Sequence, residues 1–383
     1  MVDKRNRHSQ GVVAHACATL FAIFSFFFVV SYQSPLLEAF YDHVSTGKLD
    51  YSPFVMGLFV TALLLSLALW LNRYARFRKE WAALAYLPST LLLALLTDID
   101  RSIYVGGWNC RGWVGILLCG FAVYSGMAFL LRKLPGMVKG SVHAKSPFRV
   151  VWRNLLIFTL LFVLAGTLSN GEENFKREAL AVSLYKEGDY EGALEVGYKS
   201  LDASQELTAI RTFILVENGL LGEKLFEYPQ LYGSAGLLPV LEQTSPLVPD
   251  TVFSFIGAKP GAGEPVSEFL ERVAHADTVP QTINDLYLSS LLLDRHLHLF
   301  RNEVERVYGD VPADSLPKHY REALVLYSAT DSCTLPMLEN DTLYAEFRRL
   351  REIESQHADI LVRSNSVRKQ FGRTYWWYFL YGK

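Results

Sequence analysis

Cysteine is scarce in this sequence: there are four in 383 residues, Cys17, Cys110, Cys119 and Cys333. No CxxC pair occurs, so neither a zinc ribbon nor a dithiol redox motif is supported. Cys17 and Cys119 fall in apolar stretches and read as small core hydrophobes. Cys110 and Cys333 lie outside those stretches, where an oxidising compartment would allow a disulfide between them. Also missing are HExxH, an EF-hand loop, a dinucleotide fingerprint and a Ser/His/Asp arrangement. The glycine-rich segment GAKPGAG (257–263) lacks the Gly-Lys-Ser/Thr ending of a phosphate loop. No metal and no cofactor is expected, and no catalytic residue can be assigned from a motif.

Charge is absent from the middle of five apolar stretches, 11–32, 54–71, 81–97, 113–131 and about 151–168. Each approaches the ~20 residues needed to cross ~30 Å of hydrocarbon. The first is longer than the usual secretion-signal core and has no small-x-small cleavage site after it, so it reads as a retained span. No Asp, Glu, Lys or Arg lies mid-span, and His15 is the one ionisable group that does. Proton pumps and ion-coupled transporters usually place several there, which counts against a conduction pathway. Pro88 should kink the third span. Gly115, Gly120 and Gly126 suggest close helix packing along the fourth.

The charges that are present are unevenly placed. Residues 1–168 hold 16 Lys/Arg and 7 Asp/Glu, whereas residues 169–383 hold 21 and 32. The acidic second part is a poor match for a phosphate backbone, so nucleic acid is not an expected partner. Thirteen basic residues lie in the N-terminal tail and in alternate gaps: Lys4, Arg5, Arg7, Arg73, Arg76, Arg78, Lys79, Arg132, Lys133, Lys139, Lys145, Arg149 and Arg153. The other gaps hold only Lys48, Arg101 and Arg111. The positive-inside rule then predicts a cytoplasmic N-terminus, and five crossings put residues 169–383 on the far side. In a Gram-negative bacterium this is an inner-membrane protein with a periplasmic C-terminal domain.

The outward gaps carry Asp42 and His43 in one, and Asp98, Asp100 and Arg101 in the other. Carboxylates and a histidine at the outer leaflet have the chemistry of acid–base catalysis or metal binding. The plainer reading makes them solvated caps at helix ends, since no spacing matches a known ligand set.

Residues 169–383 show apolar positions at helical spacing and little β alternation. In 174–201, Ala181, Leu184 and Tyr185 form one helical face, Gly188-Asp189-Tyr190 makes a turn, and Ala193, Leu194 and Leu201 face back. Gly188, Tyr190 and Ala193 are then turn, wedge and close-approach residues. The segment resembles one tetratricopeptide repeat, departing from it at Gly197, where that repeat prefers a large aromatic. Further helices are predicted at 207–219 (amphipathic), 280–293, 295–308, 317–329 and 341–362. A single repeat cannot bury its own apolar face, so the pairs are expected to stack as an α-solenoid. Six prolines interrupt 223–266, which is read as an irregular insertion. The C-terminal TYWWYFLYGK is expected to seal the last helix or to sit at a bilayer interface.

The overall expectation is all-α: a five-helix transmembrane bundle (1–168) followed by a soluble TPR-like α-solenoid (169–383). The segments GEKLFEYPQ, LPKHYREALVLY and TYWWYFLYG, behind several spans, resemble an uncharacterised family of polytopic Bacteroidota envelope proteins. That resemblance implies a host class and a topology but no activity. The expected function is a membrane-anchored interaction scaffold whose partners are the lipid bilayer and an envelope protein. The alternatives are an enzyme acting on a lipid or glycan at the outer leaflet, through the acidic and basic gap residues, and a transporter accessory subunit.

Overall fold

The computed structural model describes residues 2–45, 51–75, 77, 79–104, 111–133, 147–198, 200, 202–240, 246–247, 249–276, 279–309, 311–331 and 341–382. Among them there are helices and turns and no strand. The chain divides into two compact units, Met1–Ala179 and Leu180–Lys383.

The first unit contains α1 (Val2–Phe27), α2 (Ser34–Ser45), α3 (Pro53–Ala75), α4 (Leu87–Thr97), α5 (Arg111–Lys133), α6 (Pro147–Leu168) and the start of α7 (Glu173–Lys186). Among the described residues, five segments are long and apolar enough to cross a membrane: Gly11–Tyr32, Pro53–Arg73, Lys79–Thr97, Gly112–Leu131 and Phe148–Leu168. The third is the most buried of the five and packs against α1, α3, α5 and α6. The outer helices leave large apolar side chains uncovered, among them Phe59, Leu118 and Phe148, at 64%, 67% and 73% exposure.

The third segment is not one helix. A 3-10 stretch, Lys79–Tyr86, runs into α4, and Pro88 sits in the first turn of α4. There the missing N–H costs nothing, because first-turn amides have no intrahelical acceptor. The 3-10 stretch is held from α6 instead. Asn154 donates to the Lys79 carbonyl and accepts from the Ala83 amide, both at 2.9 Å. A carboxamide carries both functions, which no apolar side chain could replace.

The gap expected after the first span contains a helix, α2, that charge distribution alone did not reveal. Its Leu36 is fully buried with Ile99, Ile103, Phe175 and Ala179. These residues also explain why the first unit ends at Ala179 and not at 168. Arg101 Nη1 and Nε reach Glu178 and Glu172 at 2.7 and 2.8 Å. Asn170 donates to the Ile99 carbonyl. The first turns of α7 are thereby bound to the 98–104 turn.

The second unit contains α8 (Tyr190–Glu195), α9 (Gln205–Glu217), α10 (Leu221–Lys224), α11 (Pro249–Ile256), α12 (Val266–Ala274), α13 (Gln281–Leu293), α14 (Leu297–Tyr308), α15 (Lys318–Asp331), α16 (Asp341–Ser355), α17 (Ile360–Phe371) and α18 (Tyr375–Tyr381). Neighbours in sequence pack in pairs from α12 through to α18. Contacts distant in sequence are superposed on this order: α10 lies against α13 and α15, α9 against α13, and α18 against α15.

The repeat-like segment forms only in part. Gly188 has φ +82° and Asp189 caps α8, accepting from the Gly192 amide at 2.9 Å. Ala193 is fully buried and the Tyr190 ring packs tilted against Tyr185, 5.9 Å between centroids. But α8 stops at Glu195, and Gly197 follows with φ +65°. Glycine tolerates that backbone conformation and a β-carbon disfavours it. The second helix of the repeat is therefore truncated where the sequence departs from the repeat pattern.

Three other expectations are corrected. The helix predicted at 207–219 is α9, and it is buried around its whole circumference, Arg211, Thr208 and Thr212 included. It is a central helix and not an amphipathic one. The stretch 341–362 breaks into α16 and α17 because Asp359 caps a new helix, accepting from the Leu361 and Val362 amides. The insertion 223–266 is also more ordered than expected, since it includes α11 and two 3-10 turns, Leu225–Glu227 and Gly233–Leu237. At the C-terminus, Tyr375 and Trp376 are fully buried against α15 and α17. The aromatic segment seals the helical unit.

Candidate functional site

The second unit holds a cleft of about 610 Å³. One wall is the 3-10 turn after α10 and the strand-like residues that follow, Phe226 to Leu231. Pro229 keeps this wall from continuing as helix. The opposite wall is the end of α17 and the start of α18: Arg368, Gly372, Arg373, Trp377, Tyr378 and Tyr381. Tyr198 and Ser200, just past the truncated α8, complete it. Lys318 ties the walls together, meeting Glu227 Oε1 and the Arg373 carbonyl at 3.4 Å each.

The second wall is rigid because α18 is anchored from below. Glu322, buried on α15, accepts from the Tyr375 amide at 2.7 Å and meets His319 Nδ1 at 2.9 Å. The Glu322 carbonyl accepts from Trp376 Nε1 at 2.7 Å. Tyr378 Oη donates to the Leu293 carbonyl at 2.7 Å, and Arg295 lies over its ring.

The cleft surface is aromatic and cationic. Arg373 lies over Tyr198 at 5.2 Å and Arg368 over Trp377 at 5.4 Å. Both arginines are exposed, and no carboxylate pairs with either among the described residues. Each guanidinium carbon lies over a ring, and a guanidinium so placed can still present N–H groups to a ligand in a fork that lysine lacks. Tyr198 and Tyr228 meet edge to face at 5.8 Å. Burial, and then Glu227, raise the Tyr228 phenol above its ordinary value, against the opposing pull of Arg211. Tyr381 is raised by burial and by its 2.6 Å hydrogen bond to Glu354. Both phenols therefore stay neutral at physiological pH. The site can hold a flat or extended ligand on aromatic faces and bind an anionic group through two guanidinium edges.

The residues singled out in the gaps after the first and third apolar stretches are brought together only in part. His43 packs on the Tyr104 ring at 5.3 Å, and Tyr104 packs on Phe175 at 6.2 Å. Burial and the nearby Asp42 charge raise the Tyr104 phenol. Asp98 accepts from Trp113 Nε1 at 2.6 Å, while Asp100 caps the Arg101–Tyr104 turn at the Ser102 amide, 3.0 Å away. Burial acts to lower Arg101, but hydrogen bonds and charges of Glu178 and then Glu172 outweigh it and hold the guanidinium protonated. Asp98, Asp100 and Arg101 thus each have a structural partner. Among the described residues, no group of three or more His, Cys, Asp or Glu side chains is placed to hold a metal ion. Cys110 and Cys333 lie outside the described residues, whereas Cys17 and Cys119 are free thiols.

Arg368, Arg373, Tyr198 and Tyr228 escaped the sequence reading. The aromatic density of 374–382 was visible, but it pointed to sealing, which accounts for Tyr375 and Trp376 only. A proline inside an aromatic turn (Phe226 to Pro229) is the signal that could have marked the facing wall.

Residues 266–382 match a family model described as "Family of unknown function (DUF6057)". The match spans α12 to α18 and so contains the arginine-bearing wall but not the facing wall. No curated protein and no solved structure matches the chain.

Proposed function

We propose that the chain is a membrane-anchored interaction protein, with the first unit as anchor and the second presenting the aromatic–arginine cleft to an envelope partner. The five apolar segments support the anchor, as do the uncovered Phe, Leu and Val side chains that lipid would solvate. Thirteen basic residues against three support a cytoplasmic N-terminus and a periplasmic second unit. The resemblance to polytopic Bacteroidota envelope proteins is in keeping with an inner-membrane location. The order of helix packing from α12 to α18 favours a TPR-like array, with α10 and α18 folded back across it.

The observation that carries the reading is the pair of exposed arginines, each stacked on an aromatic ring and free of any carboxylate among the described residues. An interface core enriched in Tyr, Trp and Arg has the composition of a binding hot spot. A photo-crosslinking amino acid at position 200, in the cleft, is expected to give one discrete adduct in intact cells. The same group at position 259, outside it, should give none. Arg373→Glu should abolish the adduct at unchanged protein level. If the cleft position gives no adduct, or one indifferent to Arg373→Glu, the reading is wrong.

A further inference from the structure

The cleft does not end at Tyr198. A second cavity of about 350 Å³ shares Tyr198, Glu227, Tyr228 and Arg373 with the first, so the two form one groove. Beyond the shared residues its lining changes sign. Glu191 and Glu195, both on α8, line the far end together with Lys224. Both glutamates are exposed, and neither has an ion-pair partner among the described residues. Glu227, midway, is already paired with Lys318. The groove thus runs from Arg368 at one end, past the shared Arg373, Tyr198 and Tyr228, to the two open carboxylates at the other.

This polarity decides between ligand classes. A uniformly anionic glycan or a lipid phosphate would satisfy Arg368 and Arg373 but would meet repulsion at Glu191 and Glu195. A peptide can carry charges of both signs at a fixed separation, and an extended one advances about 3.3 Å per residue. Aromatic-lined grooves take proline-containing extended segments readily, because such segments lose little conformational freedom on binding. We propose that the groove binds an extended peptide segment with an acidic end at Arg368 and Arg373 and a basic side chain at Glu191 and Glu195. The assignment rests on the cleft being the interaction surface, and it adds the chemistry and polarity of the partner.

The test uses the full-length chain in detergent micelles and fluorescence anisotropy. The probes are labelled Lys-Lys-Pro-Ala-Pro-Ala-Glu-Glu, the same peptide in reverse order, and a control of equal composition with alternating charges. One of the two polar orders should bind at least tenfold more tightly than the control. Arg368→Glu with Arg373→Glu should remove that preference. Adding Glu191→Lys and Glu195→Lys should turn the preference toward the opposite order. The milder Arg373→Gln, checked by circular dichroism, should weaken binding without changing the fold. Equal binding of the control would overturn the proposal. So would an acidic oligogalacturonate that displaces the peptides at lower concentration, since it would point to a glycan. If no peptide binds while the position-200 adduct persists in cells, the peptide assignment falls and the interaction surface stands. If the adduct is absent as well, both fall.

Discussion

Glu322 is the residue on which most of the cleft's second wall depends. Its carboxylate is almost fully buried and serves His319 and the Tyr375 amide at once. Removing a buried hydrogen-bonded carboxylate strands its donors, at a cost on the order of 3 kcal/mol. Glu322→Ala should lower the thermal midpoint of the protein by several degrees and weaken ligand binding in the cleft. Glu322→Gln keeps an acceptor for the Tyr375 amide and should lose less. A second residue-scale prediction concerns pH. Glu264 is pulled down to about 2 by Arg272 and the Gly261 amide, from an ordinary value of 4.5. A carboxylate lowered on folding contributes fully above the ordinary value, and its contribution is lost as pH falls toward the lowered one. Hydrogen exchange at the Gly261 amide should therefore stay slow at pH 5 and, after correction for intrinsic rates, lose protection between about 4.5 and 2. In Glu264→Gln this dependence should vanish.

At the scale of elements, the third apolar segment is held by specific hydrogen bonds. Asn154 bridges the 3-10 stretch to α6 at Lys79 and Ala83. Asn154→Leu keeps the number and branching of the side-chain heavy atoms but removes the acceptor of the buried Ala83 amide and a donor to the Lys79 carbonyl, costing about 2 kcal/mol. The thermal midpoint in detergent should fall, whereas Ser66→Ala, which removes only a bond within one helix, should leave it nearly unchanged. The same scale shows how far the sequence could be read. Helices α13, α14 and α15 were legible because their apolar residues recur at helical spacing and bury one shared core. The five apolar segments were legible from length and missing charge. The helix α2 was not, because a short helix between two spans differs from a loop only through what Leu36 packs against. The break at Asp359 was hidden by the apolar run Ile360, Leu361 and Val362, which looks like core and stays 49–71% exposed. The cleft was least legible: Tyr198, Tyr228 and Arg373 meet only through tertiary folding.

At the scale of the whole molecule, the near-neutral net charge of −2 conceals two units of opposite sign. A basic first unit and an acidic second unit are the arrangement expected if the basic gaps stay in the cytoplasm while the acidic part is exported. The acidic character of the second unit disfavours adhesion to anionic surfaces, and Arg368 and Arg373 are local exceptions to it. The most direct measurement is the accessibility of two engineered cysteines in a chain whose four native cysteines are replaced by serine. One, Lys369→Cys, lies beside the arginine wall. The other, Lys133→Cys, lies at the end of α5. Cells with a permeabilised outer envelope are treated with a maleimide that cannot cross the inner membrane. A membrane-anchored cleft facing the periplasm predicts labelling at position 369 in intact cells and at position 133 only after lysis. Labelling at 133 with none at 369, or equal labelling of both before lysis, would contradict it.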